Sequence, residues 1–278
     1  MFWIPSFYQA SKDSKNPDDE NDNWIKSIFG LEIWFVMDLK ATVNSNNVWN
    51  ICLLAENDKW YHNMMELVAY ANQTWLINGV PQLDLNILRE KSEWIVVFAW
   101  WDYSWISKLQ STWESDNKIK EIYDMIHDIF WENCYLEITA QNEKILPIIK
   151  KCNNYIYNLA KQTNTKLLVN NDYRYVRKDD KEIWEVALSI KDWTRIYDNN
   201  RRSPQWLYHI MDWDEIKKIC IDNWYLSEEI DEWIQNNYDL SLKLNANMLL
   251  NQKLFPKYKT PDEIMQLYEK YGESSIVN

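Results

Sequence analysis

Glycine is almost absent from this sequence. Only three glycines occur in 278 residues, beside 18 tryptophans, whereas average usage of roughly 7 % predicts roughly 19 or 20 glycines. Left-handed turn positions usually need glycine, because a side chain is costly there. Glycines and tryptophans together come close to the expected glycine count, and several tryptophans stand where turns are expected: Trp3, Trp100, Trp101, Trp105 and Trp193. We hypothesise that many tryptophans mark UGA codons that the source organism reads as glycine; the alternative is a truly tryptophan-rich protein.

Long apolar runs are also missing. The longest, Trp94 to Trp101, has the length of a buried strand, far below the roughly 20 residues of a membrane-spanning helix. The first residues lack the basic, apolar and small-residue pattern of a signal peptide. We therefore expect a soluble, cytoplasmic protein with no membrane partner.

Positive charge is scarce, since the formal net charge is −12. The basic residues Lys150–Lys151, Arg201–Arg202 and Lys217–Lys218 occur as pairs, which is typical of an ordinary solvated surface. Nucleic-acid binding depends on clusters of lysine and arginine that contact phosphates. The composition therefore predicts that this chain does not bind nucleic acid by itself.

Common catalytic and metal-binding motifs are missing as well. Cys52, Cys134, Cys152 and Cys220 have no CxxC spacing, which favours reduced thiols over a zinc site. The sequence contains no P-loop and no GxGxxG motif, and its three histidines lie near no cysteine or acidic motif. It therefore offers no nucleophilic triad and no glycine-rich phosphate loop.

What the sequence does contain is clearest between residues 164 and 195. Lys166 to Asn170 is a short apolar run that predicts a buried strand. Asp179 to Ile190 has apolar residues at helical spacing, at Ile183, Val186, Ala187 and Ile190, and Asp179 or Asp180 suits its N-cap. Asp172 then lies just past the carboxyl end of the strand, where ligands gather in α/β proteins.

Strand and helix patterns alternate along the rest of the chain. Strands are predicted at residues 25–37, 48–55, 94–101, 135–139 and 206–210, and helices at 57–72, 118–130, 143–163, 212–220, 227–238 and 257–271. Such alternation predicts an α/β fold with a largely parallel sheet.

Motifs over most of the chain resemble the PHP domain of the bacterial DNA polymerase III alpha subunit. In that family a strand runs into Thr-Asn-Asp-x-His-Tyr, and residues 169–175 read VNNDYRY. The family's Ile-Gly-x-Glu strand corresponds to the strand with Gly30 and Glu32. Its Leu-Leu-Ala-x-Asn segment corresponds to residues 53–57, and its Ser-Glu-Gly segment to residues 92–94 if Trp94 is read as glycine.

The resemblance implies a metal site that is degenerate in this chain. Of the family's metal ligands, Glu32 and Asp172 are kept, while Lys91, Trp101 and Arg174 stand at the positions of a histidine, a cysteine and a histidine. We expect no cofactor, and Mg²⁺ or Zn²⁺ to be held at most weakly by the two carboxylates. We also hypothesise that Arg174 or Lys91 pairs with Asp172 or Glu32 and holds the old pocket shut.

The same resemblance implies the architecture. It predicts a distorted β/α barrel over residues 1–250 that lacks its amino-terminal strands, as in a truncated fragment. Residues 251–278 would form a helical extension, a linker and the first helix towards the polymerase palm, with a capping box at Thr260 and Glu263.

The implied function is that of a structural or docking part of the replicative polymerase. Its expected partners are the polymerase body of the same subunit and a proofreading exonuclease subunit, with DNA reached only through the full polymerase. The enzyme alternative is a metal-dependent phosphoesterase or 3′–5′ proofreading exonuclease. A third reading, an unrelated tryptophan-rich binding module, requires the tryptophans to be genuine.

Overall fold

The computed structural model describes residues 4–14, 25–36, 48–74, 76–77, 80–93, 95–98 and 116–246. The strands in these ranges are β1 (Gly30–Val36), β2 (Val48–Ala55), β3 (Leu76–Ile77), β4 (Val80–Asp84), β5 (Ile95–Phe98), β6 (Cys134–Thr139) and β7 (Leu167–Asn170). The helices are α1 (Ile4–Asp13), α2 (Asp58–Thr74), α3 (Leu85–Glu90), α4 (Asp116–Phe130), α5 (Pro147–Thr163), α6 (Lys181–Lys191), α7 (Trp213–Asp222) and α8 (Ser227–Lys243). The predicted helix at residues 257–271 lies outside the described residues.

All described residues belong to the first of two compact units, Met1–Asn247, and the second unit is Met248–Asn278. The predicted boundary at residue 250 stays a prediction. Among the described helices, none is both long and apolar enough to cross a lipid bilayer.

The strands form one mixed sheet in the order β3-β4-β1-β2-β5-β6-β7. Pairs β1–β4, β5–β6 and β6–β7 are parallel, and pairs β1–β2, β2–β5 and β3–β4 are antiparallel. The α/β class is thus confirmed, but the sheet is less parallel than predicted. Only residues 37–47 separate β1 from β2, fewer than the dozen or so that a parallel crossover requires. Among the described residues the two end strands, β3 and β7, do not pair with each other, and the sheet is compatible with part of a PHP-like β/α barrel.

Helices α4 and α5 connect the parallel strands β5, β6 and β7. The predicted apolar face of α5 is buried at Ile149, Cys152, Ile156 and Leu159. The apolar spacing of the helix predicted at residues 143–163 also places Ile145 and Ile148 on the buried face, but they are 49 % and 46 % exposed. Ile145 precedes the first helical residue, Pro147, so the helical spacing does not apply to it, and Ile148 lies on the exposed side of the first turn.

Helix α8 packs on β7, which is an edge strand of the described sheet. Asn236 Nδ2 donates to the Leu167 carbonyl at 2.9 Å, and Asn237 Nδ2 donates to the Val169 carbonyl at 2.5 Å. An apolar cluster joins the end of this helix to the sheet, and its buried members are Val96, Tyr135, Leu168, Leu240 and Leu244. The amides thus satisfy carbonyls that an edge strand would otherwise expose.

One prediction about the chain after β7 is wrong, and one helix there has an unexpected orientation. Residues 206–210 form no strand and contribute a single isolated bridge between Tyr175 and His209. Helix α6 is present where the apolar spacing predicts it, and two of the spaced residues, Ile183 and Ile190, are 71 % and 72 % exposed. Its buried residues are instead Glu185 and Ser189.

Hydrogen bonds of Glu185 explain why the polar face of α6 is buried. Glu185 accepts hydrogen bonds from Arg201 Nη1 at 2.8 Å and from Ser203 Oγ at 2.9 Å. The loop that follows the helix therefore packs on the Glu185 face. Because burial of the carboxylate is compensated by these partners, α6 turns its isoleucines outward.

Candidate metal centre

The expected site lies where β6 and β7 end. These strands are parallel, with Thr139 opposite Asn170, so the residues after them meet at one edge of the sheet. Asn171 and Asp172 follow β7 directly and are only 3 % and 4 % exposed. Asp172 therefore lies just past the carboxyl end of β7, as the apolar run at residues 166–170 predicts.

Asp172 is engaged by Arg174. The guanidinium Nη2 lies 2.6 Å from Asp172 Oδ2, and Nε donates to the same oxygen at 2.8 Å. The backbone N–H of Arg174 donates to the Tyr208 carbonyl at 2.8 Å. Residue 174 is thus held in place from two directions, and one of the hypothesised ion pairs is present.

The electrostatics of Asp172 combine two opposing effects. Burial raises the pKa of the Asp172 carboxyl above its ordinary value, and the charge and hydrogen bond of Arg174 oppose that rise. The guanidinium therefore compensates the buried negative charge of Asp172, as a bound metal cation would.

Glu32 occupies a different part of the sheet. It lies on β1 directly opposite Cys52 of β2, and its Oε1 accepts a short hydrogen bond from Asn50 Nδ2. Strands β2, β5 and β6 stand between β1 and β7, which corresponds to about 19 Å measured along the sheet. Lys91, the other proposed partner of Glu32, instead pairs with Glu66 at 2.6 Å.

A third carboxyl, Glu137 of β6, was not singled out by the sequence. It is 2 % exposed, and burial raises its pKa to about 8; the hydrogen bond from Asn170 opposes the rise, and the negative charge of Asp172 adds to it. Asn170 Nδ2 donates to its Oε2 at 3.5 Å. The available signal was the strand sequence CYLEIT, in which a carboxylate stands in an otherwise apolar segment, and every residue of that strand is buried.

Glu137 borders a small cavity under α8. The cavity has a volume of about 150 Å³, and its lining includes Asn170, Asn237 and Leu240. Ligand sites usually enclose about 300–1,000 Å³. A largely protonated carboxyl in such a space is a hydrogen-bonding group and a poor ligand for a cation.

A second, larger cavity lies at the opposite ends of β6 and β7. It has a volume of about 540 Å³, and its lining includes His127, Cys134, Lys166, Asp239 and Lys243. Burial raises the pKa of the Cys134 thiol to about 12, so this thiol is not a nucleophile at neutral pH.

The donor set of the described residues does not fit the metal cluster that the family resemblance implies. Phosphoester hydrolysis by metals needs several convergent ligands that polarise phosphate and activate a water molecule. In the part of the chain that the structure describes, no group of three or more His, Cys, Asp or Glu side chains could hold a metal ion. Asp172 is bound by Arg174 and Glu32 by Asn50, while Trp101 lies outside the described residues.

Comparison with known proteins identifies the family. A family model described as PHP domain matches residues 1–141. DNA polymerase III subunit alpha of Aquifex aeolicus is 24 % identical over 203 residues, which cover 69 % of this chain and 16 % of that protein. The subunit of Thermus aquaticus is 23 % identical over 247 residues, which cover 86 % of this chain and 20 % of that protein.

A longer alignment is found with DNA polymerase III subunit alpha of Campylobacter jejuni. It is 22 % identical over 273 residues, which cover 93 % of this chain and 21 % of that protein. The chain therefore spans about a fifth of the length of the curated relatives it matches. On the match of the family model to half of its length, this chain belongs to the PHP domain family.

Proposed function

We propose that this chain is the PHP region of a DNA polymerase III alpha subunit and acts there as a structural and docking domain with a degenerate metal site. The observation that carries the proposal is the ion pair between Asp172 and Arg174. In the motif that this segment resembles, the aspartate is a metal ligand. Here a guanidinium occupies its carboxylate, and a metal would have to displace that cation.

Electrostatics support the loss of metal chemistry. A fixed positive charge beside a carboxylate opposes the approach of a divalent cation. The second kept ligand, Glu32, is engaged by an amide, and Glu137 is held largely protonated by burial. Each of the three carboxyls thus has its own hydrogen-bonding partner, which is Arg174, Asn50 or Asn170.

An apolar surface on α6 supports the docking role. Ile183 and Ile190 lie seven residues apart on one face of this helix and are 71 % and 72 % exposed. Exposed apolar side chains that share a face are typical of interaction surfaces. Because the relatives are about five times longer than this chain, we assign this surface to the remainder of the same alpha subunit.

The proposal includes the setting of that subunit. DNA is reached through the full polymerase, a proofreading exonuclease subunit is a further partner, and the compartment is the cytoplasm, where bacterial DNA is replicated. The negative net charge of −12 agrees with a region that does not bind DNA alone.

Two assays on the purified chain test the two halves of the proposal. Hydrolysis of a chromogenic phosphodiester and of a single-stranded DNA 3′ end is measured with Mn²⁺ and with Zn²⁺. We expect no turnover above buffer. Metal-dependent release of product in proportion to the chain would instead establish the phosphoesterase or exonuclease alternative.

Docking is tested by association with the remainder of a DNA polymerase III alpha subunit from the same organism, expressed without its PHP region. Sedimentation should detect a complex, and Ile190→Glu should weaken it at least about tenfold. Ile221→Glu is the matched control, because Ile221 is also exposed, on α7. Equal binding by the parent and both variants would reject α6 as the docking surface.

A further inference from the structure

Left-handed backbone at non-glycine residues is concentrated at tryptophan. In the described residues, four non-glycine residues have positive φ: Trp131 at 42°, Asn164 at 55°, Trp193 at 54° and Trp224 at 77°. Asparagine is tolerated in this region, whereas for a bulky residue the conformation is an outlier. Three of the four residues are therefore of a type that should be rare there.

Each of these residues stands directly behind a helix or at its end. Trp193 follows α6 by one capping residue, Thr194 N–H donates to the Ser189 carbonyl at 2.9 Å, and Trp193 N–H donates to the Ile190 carbonyl at 3.3 Å. This pair of hydrogen bonds is the Schellman motif, in which the residue at the position of Trp193 is usually glycine.

Helix α7 ends in the same way. Tyr225 N–H donates to the Cys220 carbonyl at 3.2 Å, and Trp224 N–H donates to the Ile221 carbonyl at 2.9 Å. At the end of α4, Trp131 follows Phe130 directly. The residue after a helix C-terminus is the position at which glycine is most enriched.

The three indoles gain little from their surroundings. Trp131, Trp193 and Trp224 are 69 %, 96 % and 83 % exposed. Trp224 has Lys144 Nζ at 6.0 Å from its ring centroid, which is the outer limit of a cation–π contact. Burial therefore does not compensate the left-handed strain at any of the three positions.

Trp233 shows the opposite combination of backbone angle and burial. Trp233 in α8 is 3 % exposed, and its ring lies 6.2 Å from the Tyr157 ring and 5.2 Å from the Tyr225 ring. Trp233 thus differs from Trp131, Trp193 and Trp224 in both backbone angle and burial. Composition points the same way, since glycine is nearly missing while tryptophan is frequent.

We infer that residues Trp131, Trp193 and Trp224 are glycine in the protein as its source organism makes it, and that their codons are UGA read as glycine. The exposed indoles at these positions are then not anchors of a partner surface. The three helix ends instead carry the residue that their backbone conformation requires.

The codons and the natural protein test this inference together. The gene should have UGA at codons 131, 193 and 224 and UGG at codon 233. Peptide mass spectrometry of the protein from its source cells should give glycine at the first three positions and tryptophan at Trp233. UGG codons, or peptides with tryptophan at the three positions, would overturn the inference.

Stability of the chain made with tryptophan gives an independent test. Trp193→Gly and Trp224→Gly should each raise the folding equilibrium constant about fivefold or more, because left-handed strain is relieved. Trp193→Ala and Trp224→Ala are matched controls that remove the indole and keep a Cβ, so they should gain less. Trp233→Gly should lower the constant. Alanine variants as stable as the glycine variants would contradict the backbone argument.

Discussion

At the scale of single residues, Asp172 and Arg174 define the site. The carboxylate side chain is 5 % exposed and the arginine side chain 42 % exposed, so the pair stands at the boundary between core and solvent. Such a pair contributes less than a fully buried one, because water screens the arginine. Its loss still leaves a buried carboxylate without its cation.

Arg174→Ala should therefore destabilise the protein by about 1–2 kcal/mol at pH 7, as measured by urea unfolding. Arg202→Ala is the matched control, because Arg202 pairs with the more exposed Asp192. We expect a smaller loss in the control. Equal losses of unfolding free energy in the two variants would mean that the ion pair of Asp172 contributes no more to stability than the more exposed pair of Asp192.

Glu137 makes stability depend on pH. Its folded-state pKa of about 8 lies above the ordinary value of 4.5, so folding favours the protonated form. The contribution is fully present below pH 4.5 and is lost as pH rises through about 8.

Glu137→Gln keeps the shape and removes the titration. Relative to this variant, the parent should lose on the order of 1–4 kcal/mol of unfolding free energy between pH 5 and pH 9. The exposed Glu121→Gln serves as control and should follow the parent. Parallel curves for the parent and Glu137→Gln would exclude a buried, protonated Glu137.

At the scale of secondary-structure elements, α6 is the unusual one. Its helical spacing of apolar residues is real, yet the polar residues Glu185 and Ser189 are buried and the isoleucines exposed. The loop that carries Arg201 and Ser203 determines this orientation through Glu185.

Replacing the outer isoleucines of α6 should therefore leave the fold intact. Ile183→Gln and Ile190→Gln should each change the unfolding free energy by less than about 0.5 kcal/mol. Ile156→Ala, in the buried face of α5, should cost about 2–5 kcal/mol. Thermal unfolding compares the three variants, and a cost above 2 kcal/mol at Ile183 or Ile190 would place that face in the core.

Helix α8 gives the second prediction at this scale. Asn236→Ala and Asn237→Ala remove the amides that bind the carbonyls of β7. Each should cost about 0.5–1.5 kcal/mol, and the double variant should aggregate sooner on heating, because a strand edge is uncovered. Gln235→Ala, which removes an exposed bond to Asp239, should do neither. Unchanged midpoints and aggregation in the double variant would refute the covering role.

At the scale of the whole molecule, local pattern predicted most elements. β7 was expected at residues 166–170 and is found at Leu167–Asn170, because a short apolar run between polar residues determines a buried strand by itself. The position of Asp172 followed from that strand. The alternation of elements was also sufficient for the α/β class.

Contacts between distant segments could not be predicted. The buried face of α6 depends on Arg201 and Ser203, and the mixed sheet depends on which strands become neighbours. The sequence left two cations and two carboxylates as possible pairs, and only the fold selects Arg174 with Asp172. Glu137 was missed because its burial depends on packing by α8 and β7.

The measurement that tests the central claim most directly is the metal content of the purified chain. The protein is incubated with Mn²⁺ or Zn²⁺ and desalted, and bound metal per chain is determined by elemental analysis. A degenerate site predicts clearly less than one ion per chain, with no change on Asp172→Asn. Two or more ions per chain, lost in Asp172→Asn, would contradict it and establish a working PHP metal centre.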